Sequence, residues 1–226
     1  MIQIRKNREP GELIQYRKQP GATYENMSSD LKQQIVESLL KEQGHLCAYC
    51  MRRIPEDRKL PTGVKPVTIE HWYPRNPQSK DDIGQGLDYK NMLAVCSGNR
   101  GCGDERNMTC DAHRKNKEIK VNPCDARTLS TITYSSQGLI KSTDRDIDGD
   151  LNIRLNLNCQ ALSLPENRKK VLDTMLMTIH KKYPNGDISQ YCDTLIKKFE
   201  GIEDNKTPFV GILLFWLKKH SSYNRQ

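Results

Sequence analysis

Apolar residues recur at helical spacing in the segment 30–43. The leucine and isoleucine side chains of this segment fall on one face of a helix. Asp30 or Ser29 is a residue type that caps a first turn, and Gly44 is one that ends a helix. We therefore predict an amphipathic helix here, with its apolar face in the protein core.

The carboxy-terminal part of the chain carries three further helical patterns. Ser163 and Glu166 form the sequence signature of a capping box, and the apolar residues after them repeat along one helical face. A second helix is predicted to open at Asp187. The last segment, 207–219, is apolar nearly all round from Phe209 onward. It is therefore predicted to be buried, either inside this helical region or against a partner.

Short strands are predicted between the helical regions. The segment 67–69 reads as a strand, and a run of apolar residues leads into Cys96 as another. Residues 131–141 have the pattern of a small hairpin with Gly138 in its turn. Together with the helices, these strands predict an α+β fold.

Turn-forming residues mark the other segments as loops. The first 27 residues contain two Pro-Gly pairs, residues 51–68 are rich in proline and basic side chains, and 84–86 is a glycine-containing loop. The predicted organisation is an irregular N-terminal arm (1–27), a core (28–125), a hairpin and linker (126–158) and a C-terminal helical region (159–226).

Basic residues outnumber acidic ones along the 226-residue chain. There are 36 Lys and Arg against 28 Asp and Glu, which gives a net charge of +8 and a pI near 9.0. This excess favours a polyanionic partner such as nucleic acid. The amino terminus has no apolar signal region, and the longest apolar run, Phe209–Leu217, is too short to span a bilayer. We expect a cytoplasmic protein that does not associate with membranes.

Eight cysteines in such a compartment indicate metal or redox chemistry rather than disulfides. Cys47 and Cys50 have the Cys-x-x-Cys spacing that lets two thiolates bind one tetrahedral zinc. Cys96 and Cys110 would complete the set of four, and Cys102 lies between them as a rival ligand. A redox-active Cys47–Cys50 pair is the alternative, but no βαβ pattern surrounds it and further cysteines follow downstream. We predict a structural zinc site.

An acid and a histidine, Glu70 and His71, follow the predicted strand at 67–69 directly. Neighbouring residues of a strand point to opposite faces, so one side chain can hold a metal while the other handles a proton. Such a pair is common on protein surfaces, and Asn91, further along, could on its own be a turn residue. Their position between the two cysteine clusters favours a functional role.

The order Cys-x-x-Cys, acid-His, Asn, Cys and Cys-Asp, with a basic residue four positions after the last cysteine, resembles the HNH endonucleases and their ββα-metal motif. More closely, Leu39–Cys50, Ile69–His71 and the spaced second cysteine pair look like the HNH nuclease subunit (PtuB) of Septu-type anti-phage systems, including retron-associated ones. The resemblance is specific between 31 and 125. It departs from the commonest HNH pattern in the split second cysteine pair and in Asp111, where His or Asn is usual.

This resemblance implies a zinc-stabilised ββα-metal core with a catalytic divalent cation. Glu70 and Asp111 supply hard oxygens that suit Mg²⁺ or Mn²⁺, and His113 is a competing ligand. His71 is the implied general base, because an imidazole titrates near neutral pH. Asn91 is implied to fix the loop and the orientation of His71.

Substrates and partners follow from the same resemblance. The candidate phosphate contacts are Arg114, Lys115 and Lys117. The implied activity is hydrolysis of phosphodiester bonds in nucleic acid, with DNA favoured and tRNA as the alternative, by the effector of a bacterial anti-phage system. The implied partners are a PtuA-like ATPase and a retron reverse transcriptase with its msDNA.

An alternative from another functional class is a zinc-stabilised nucleic-acid-binding module without catalysis. Such a module has no need for a proton acceptor beside hard metal ligands, which is the arrangement that Glu70-His71 and Asp111 predict.

Overall fold

The computed structural model describes residues 1–55, 64–76 and 85–222. Residues 56–63 of the predicted connector and residue 84 of the predicted loop at 84–86 lie outside these residues. The fold is α+β, as the sequence predicted. The helices are α1 (Gly11–Arg17), α2 (Ser29–Glu42), α3 (Cys110–Arg114), α4 (Ala126–Leu129), α5 (Arg145–Gly149), α6 (Leu164–Lys182), α7 (Ser189–Glu200) and α8 (Val210–His220); the strands are β1 (Val67–His71), β2 (Met92–Cys96), β3 (Ile132–Tyr134) and β4 (Ile140–Ser142).

Strands β1 and β2 form an antiparallel pair at the centre of the larger core. Val67 pairs with Cys96 and His71 pairs with Met92, and every residue of β2 is buried. Helices α2 and α3 both pack against β2. Ser28 caps α2 by accepting a hydrogen bond from the Leu31 amide, one residue before Ser29 and two before Asp30, the predicted caps. The result is a two-stranded sheet followed in sequence by a short helix.

The N-terminal arm is less irregular than predicted. It contains α1, whose Leu13 is fully buried, and the Ile4 amide donates to the Pro123 carbonyl. The Lys6 ammonium donates to the Met92 carbonyl at 3.0 Å and pairs with Glu42 at 2.9 Å. Burial of apolar side chains, which turn signals do not report, makes this arm part of the core.

The C-terminal helices form a second apolar cluster. Helix α6 begins at the predicted place, but Ser163 has a left-handed backbone (φ 49°) and makes no side-chain capping hydrogen bond, so the predicted capping box is wrong. Helix α8 packs on α6, α7 and β3. Much of the apolar run that begins at Phe209 is therefore buried within this chain, while Leu214, Phe215 and Trp216 are half-buried. Among the described residues, no helix has the length and apolar character needed to cross a membrane.

A buried arginine joins the β3–β4 hairpin to α6. The Arg168 guanidinium donates to the carbonyls of Gly138 and Leu157 and to the Asn158 side chain. Gly138 has φ +78°, and a Cβ atom built there would lie 2.0 Å from the Pro165 carbonyl oxygen. Only glycine allows the turn to approach the helix this closely.

We expect Gly138→Ala to lower the free energy of unfolding by about 2–4 kcal/mol, from a strained backbone and a steric clash together. Gly103→Ala is the matched control, because Gly103 has φ +79° and no atom within 4 Å of a built Cβ. Gly103→Ala should lower the free energy of unfolding by about 1 kcal/mol, the contribution of the strained backbone alone. Urea unfolding of both variants measures the difference. Equal reductions in the free energy of unfolding would show that Gly138 has room for a Cβ atom beside α6.

Candidate functional site

Four buried cysteines meet between the turn after α2, the end of β2 and the start of α3. Their sulfur atoms lie within 4.8 Å of one another. The Cys47–Cys110, Cys50–Cys96 and Cys96–Cys110 sulfur distances are 3.8, 3.7 and 3.9 Å. A tetrahedral zinc with bonds of about 2.3 Å requires sulfur atoms about 3.8 Å apart, so the cluster has the dimensions of such a site.

Local backbone geometry directs these thiols inward. The Cys47 amide donates to the Arg52 carbonyl and the Met51 amide donates to the Cys47 carbonyl, each at 3.0 Å, which closes the turn between the first two cysteines. The Cys110 amide donates to the Leu155 carbonyl at 2.8 Å, and this residue has φ +55°. Tertiary contacts therefore hold Cys110 in a conformation that its own residue type disfavours.

Cys102 lies outside the cluster. Its side chain is exposed, and its sulfur contacts the Asp104 carbonyl at 3.1 Å. Of the two rivals for the fourth position, the structure brings Cys110 to the other three cysteines.

Two carboxyl groups meet beside the cluster, where β1 ends against α3. The Glu70 carboxyl group lies next to that of Asp111 and accepts a hydrogen bond from the Tyr49 hydroxyl at 3.1 Å. Burial and the neighbouring Asp111 charge raise the pKa of Glu70 to about 8, against the opposing effect of Arg114. A shared proton or a bound cation relieves the repulsion between two neighbouring carboxyl groups. This donor pair fits a hard divalent cation.

Arg114 stabilises this arrangement from below. Its side chain is 0% exposed and ion-paired with Glu70. It also donates to the Tyr49 hydroxyl at 3.1 Å and to the carbonyls of His71 and Trp72. The expectation that Arg114 contacts phosphate is therefore wrong, because its donors are buried and occupied by protein acceptors.

His71 lies at the same end of β1 but has different neighbours. Its Nε2 atom is 3.0 Å from the Gly86 carbonyl oxygen, and the Tyr24 ring packs edge-on at 4.8 Å between centroids. Burial lowers the pKa of His71, against the opposing effect of the Gly86 carbonyl. The neutral ring then carries its proton on Nε2, which leaves Nδ1 able to accept one.

Asn91 fixes the backbone directly after His71. Its side-chain amide donates to the Tyr73 carbonyl at 2.9 Å, and its side-chain oxygen accepts from the Tyr73 amide at 2.7 Å. Its own carbonyl accepts from the Trp72 amide at 2.9 Å. This geometry suits a positioning role better than that of a simple turn residue.

His113 is not brought to the carboxyl pair. Its Nδ1 atom is 2.9 Å from the Arg154 carbonyl oxygen. Two residues along a helix rotate a side chain by about 200°, so Asp111 and His113 face opposite ways on α3. The structure favours Asp111 over His113 as the ligand from this helix.

A basic cleft of about 550 Å³ opens over Glu70, His71 and Asp111. Lys115 lines it and is ion-paired with Glu105, whereas Lys117 is not among the residues that line it. The other basic residues of the lining are Lys32, Lys65, Arg75 and Arg100. No sequence motif marks these four residues or Tyr24, because they come from distant segments of the chain.

Comparison with known proteins relates the chain to a nuclease over part of its length. No protein-family model matches the chain. It is 28% identical over 129 residues to a protein of Escherichia coli described as "Retron Ec83 putative HNH endonuclease". The match covers 53% of this chain and 48% of that relative, so the chain spans about half the length of the curated relative that it matches. This similarity supports a relationship to nucleases of the HNH kind.

Proposed function

We propose that the protein is a metal-dependent HNH endonuclease that hydrolyses phosphodiester bonds in nucleic acid. The observation that carries this proposal is the pair of neighbouring carboxyl groups, Glu70 and Asp111, beside the neutral His71, in a cleft lined by basic side chains. A module that only binds nucleic acid gains nothing from two neighbouring carboxyl groups in its binding cleft, since they repel phosphate.

Two kinds of metal site fit the residues present. Cys47, Cys50, Cys96 and Cys110 would hold a structural zinc, because four buried thiols at tetrahedral spacing suit that ion. Glu70 and Asp111 would hold a catalytic Mg²⁺ or Mn²⁺, which supplies neutralisation of the charge that develops on the phosphate.

Side chains and backbone groups of this chain would accept the proton, position the reacting groups and bind the phosphate. Nδ1 of His71 accepts the proton of the attacking water, while the Gly86 carbonyl holds the protonated Nε2 in place. Tyr24 shields one edge of the imidazole from solvent. Asn91 fixes the backbone after His71, and Arg114 holds the Glu70 carboxyl group at the cleft floor. Lys32, Lys65 and Arg75 attract the phosphate backbone.

DNA is the proposed substrate, and the proposed biological role is that of an effector in bacterial anti-phage defence. The name of the E. coli relative, which places that protein in a retron, supports this role. The proposed partners are a PtuA-like ATPase and a retron reverse transcriptase with its msDNA, which would restrain a nuclease that endangers host nucleic acid. Copurification of the tagged chain with a co-expressed ATPase from the same locus tests the partner, and its absence would leave a free-standing nuclease.

We expect one zinc per chain, lost in Cys110→Ser together with the folded core, because structural zinc contributes on the order of 10 kcal/mol to small metal domains. Cys102→Ser is the matched control and should retain both metal and fold. Elemental analysis and circular dichroism of the two variants make the measurement. Loss of zinc from the control instead would assign the fourth ligand to Cys102.

We expect His71→Ala to reduce cleavage about 10²-fold to 10⁴-fold, the usual contribution of a general base, without loss of zinc or fold. Asp111→Asn should abolish the response to Mg²⁺ or Mn²⁺, and His113→Ala should retain it. Plasmid DNA and total tRNA, each with and without the cation, serve as substrates. Full activity of His71→Ala would reject the mechanism, and cleavage of tRNA alone would reject DNA as the substrate.

A further inference from the structure

The segment between Cys96 and Cys110 forms an ordered loop at the edge of the cleft. We call residues 97–109 the inserted loop. Its two ends are in contact, since the Thr109 amide donates to the Gly98 carbonyl at 2.9 Å and a Cβ on Gly98 would lie 2.1 Å from the Thr109 carbonyl oxygen. The Asn99 side chain donates to the Asn107 carbonyl at 3.0 Å, which closes the loop again further out.

Contacts from outside hold the inserted loop in place. The Asn156 side chain donates to the carbonyls of Arg106 and Met108 at 3.0 and 2.9 Å. Glu105 of the loop forms an ion pair with Lys115 at the end of α3. These contacts use backbone groups and side chains other than Arg100, so several attachments of the loop remain without the Arg100 guanidinium.

Arg100 points from this loop into the cleft. Its Nη2 atom lies 2.7 Å from Oδ2 of Asp111, and its side chain is 47% exposed. Arg114, the arginine that pairs with Glu70, is by contrast completely buried. Arg100 is therefore a guanidinium beside the carboxyl pair that solvent, and so a substrate, can reach.

Binding of a divalent cation to Asp111 would weaken the ion pair between Asp111 and Arg100. Asp111 would hold the cation through its carboxylate, and the neighbouring guanidinium would then be repelled. A phosphodiester bound there would bring its non-bridging oxygens to the same place, and a guanidinium matches phosphate oxygens with paired donors.

We propose that Arg100 is a catalytic residue with two successive partners. It pairs with Asp111 while the cation is absent, and it donates to a non-bridging oxygen of the scissile phosphate when cation and nucleic acid are bound. This inference rests on the proposed nuclease function and adds the residue that stabilises negative charge in the reaction.

The test compares Arg100→Ala and Arg100→Lys with Arg106→Ala. Arg106 is the matched control, because it lies in the same loop, loses the same charge, and is 89% exposed in an ion pair with Asp104. Three quantities are measured on each protein: zinc content, equilibrium binding of Mn²⁺ without nucleic acid, and kcat and KM for plasmid cleavage. Asp111→Asn gives the background of Mn²⁺ binding.

We expect Arg100→Ala to lower kcat about 10²-fold to 10³-fold, as loss of a donor to developing charge does. The same variant should bind Mn²⁺ roughly twofold to fivefold more tightly, because an ion pair that competes with the cation is gone. Arg100→Lys should recover part of kcat, and Arg106→Ala should match the wild type. A residue with only a structural role cannot lower kcat while strengthening Mn²⁺ binding at unchanged zinc content.

Two results would overturn the inference while leaving the proposed function in place. One is wild-type kcat in Arg100→Ala. The other is joint loss of zinc and Mn²⁺ binding, which would make Arg100 a structural residue. If the wild-type protein cleaves no nucleic acid with either cation, the proposed function fails, and the contact with phosphate fails with it.

Discussion

Helix α3 has five residues and cannot be stable alone, because an isolated helix needs roughly 12 residues or more. It nevertheless carries Cys110, Asp111 and Arg114. The cysteine cluster attaches its first residue to β2 and to the turn after α2, and its last residue, Arg114, is attached to β1 through Glu70 and His71. Both attachments are needed, since the position of Asp111 relative to Glu70 is set by this short helix.

The two arginines next to the carboxyl pair differ in solvent exposure. Arg114 lies fully buried beneath Glu70, and Arg100 lies half-exposed beside Asp111. A buried ion pair contributes little net stability, but loss of one partner leaves an uncompensated charge that costs about 3–5 kcal/mol. Arg114 is therefore a structural counter-ion, whereas the solvent-facing Arg100 can exchange partners at small energetic cost.

Segments that look peripheral in sequence form the walls of the cleft. Tyr24 of the N-terminal arm packs on His71, and the side chains of Lys32 and Arg75 lie over the ring of Tyr24 at 5.0 and 4.3 Å. The arm thereby places an aromatic ring against the imidazole, and two cations from other segments pack on that ring. Burial of His71, which lowers its pKa, therefore involves this arm as well as the strand that carries the histidine.

The sequence alone determined the features that depend on local periodicity and on residue type. Helix α2, the β3–β4 hairpin, the Cys-x-x-Cys turn and the donor types at Glu70, His71 and Asp111 could all be identified, because each is defined by a few neighbouring residues. Tertiary structure decided which residues meet. It selected Cys110 over Cys102, turned His113 away and buried Arg114. It also assembled the basic cleft from Lys32, Lys65, Arg75 and Arg100. Pairing across long stretches of chain depends on packing and on the direction of each side chain, and a linear pattern specifies neither.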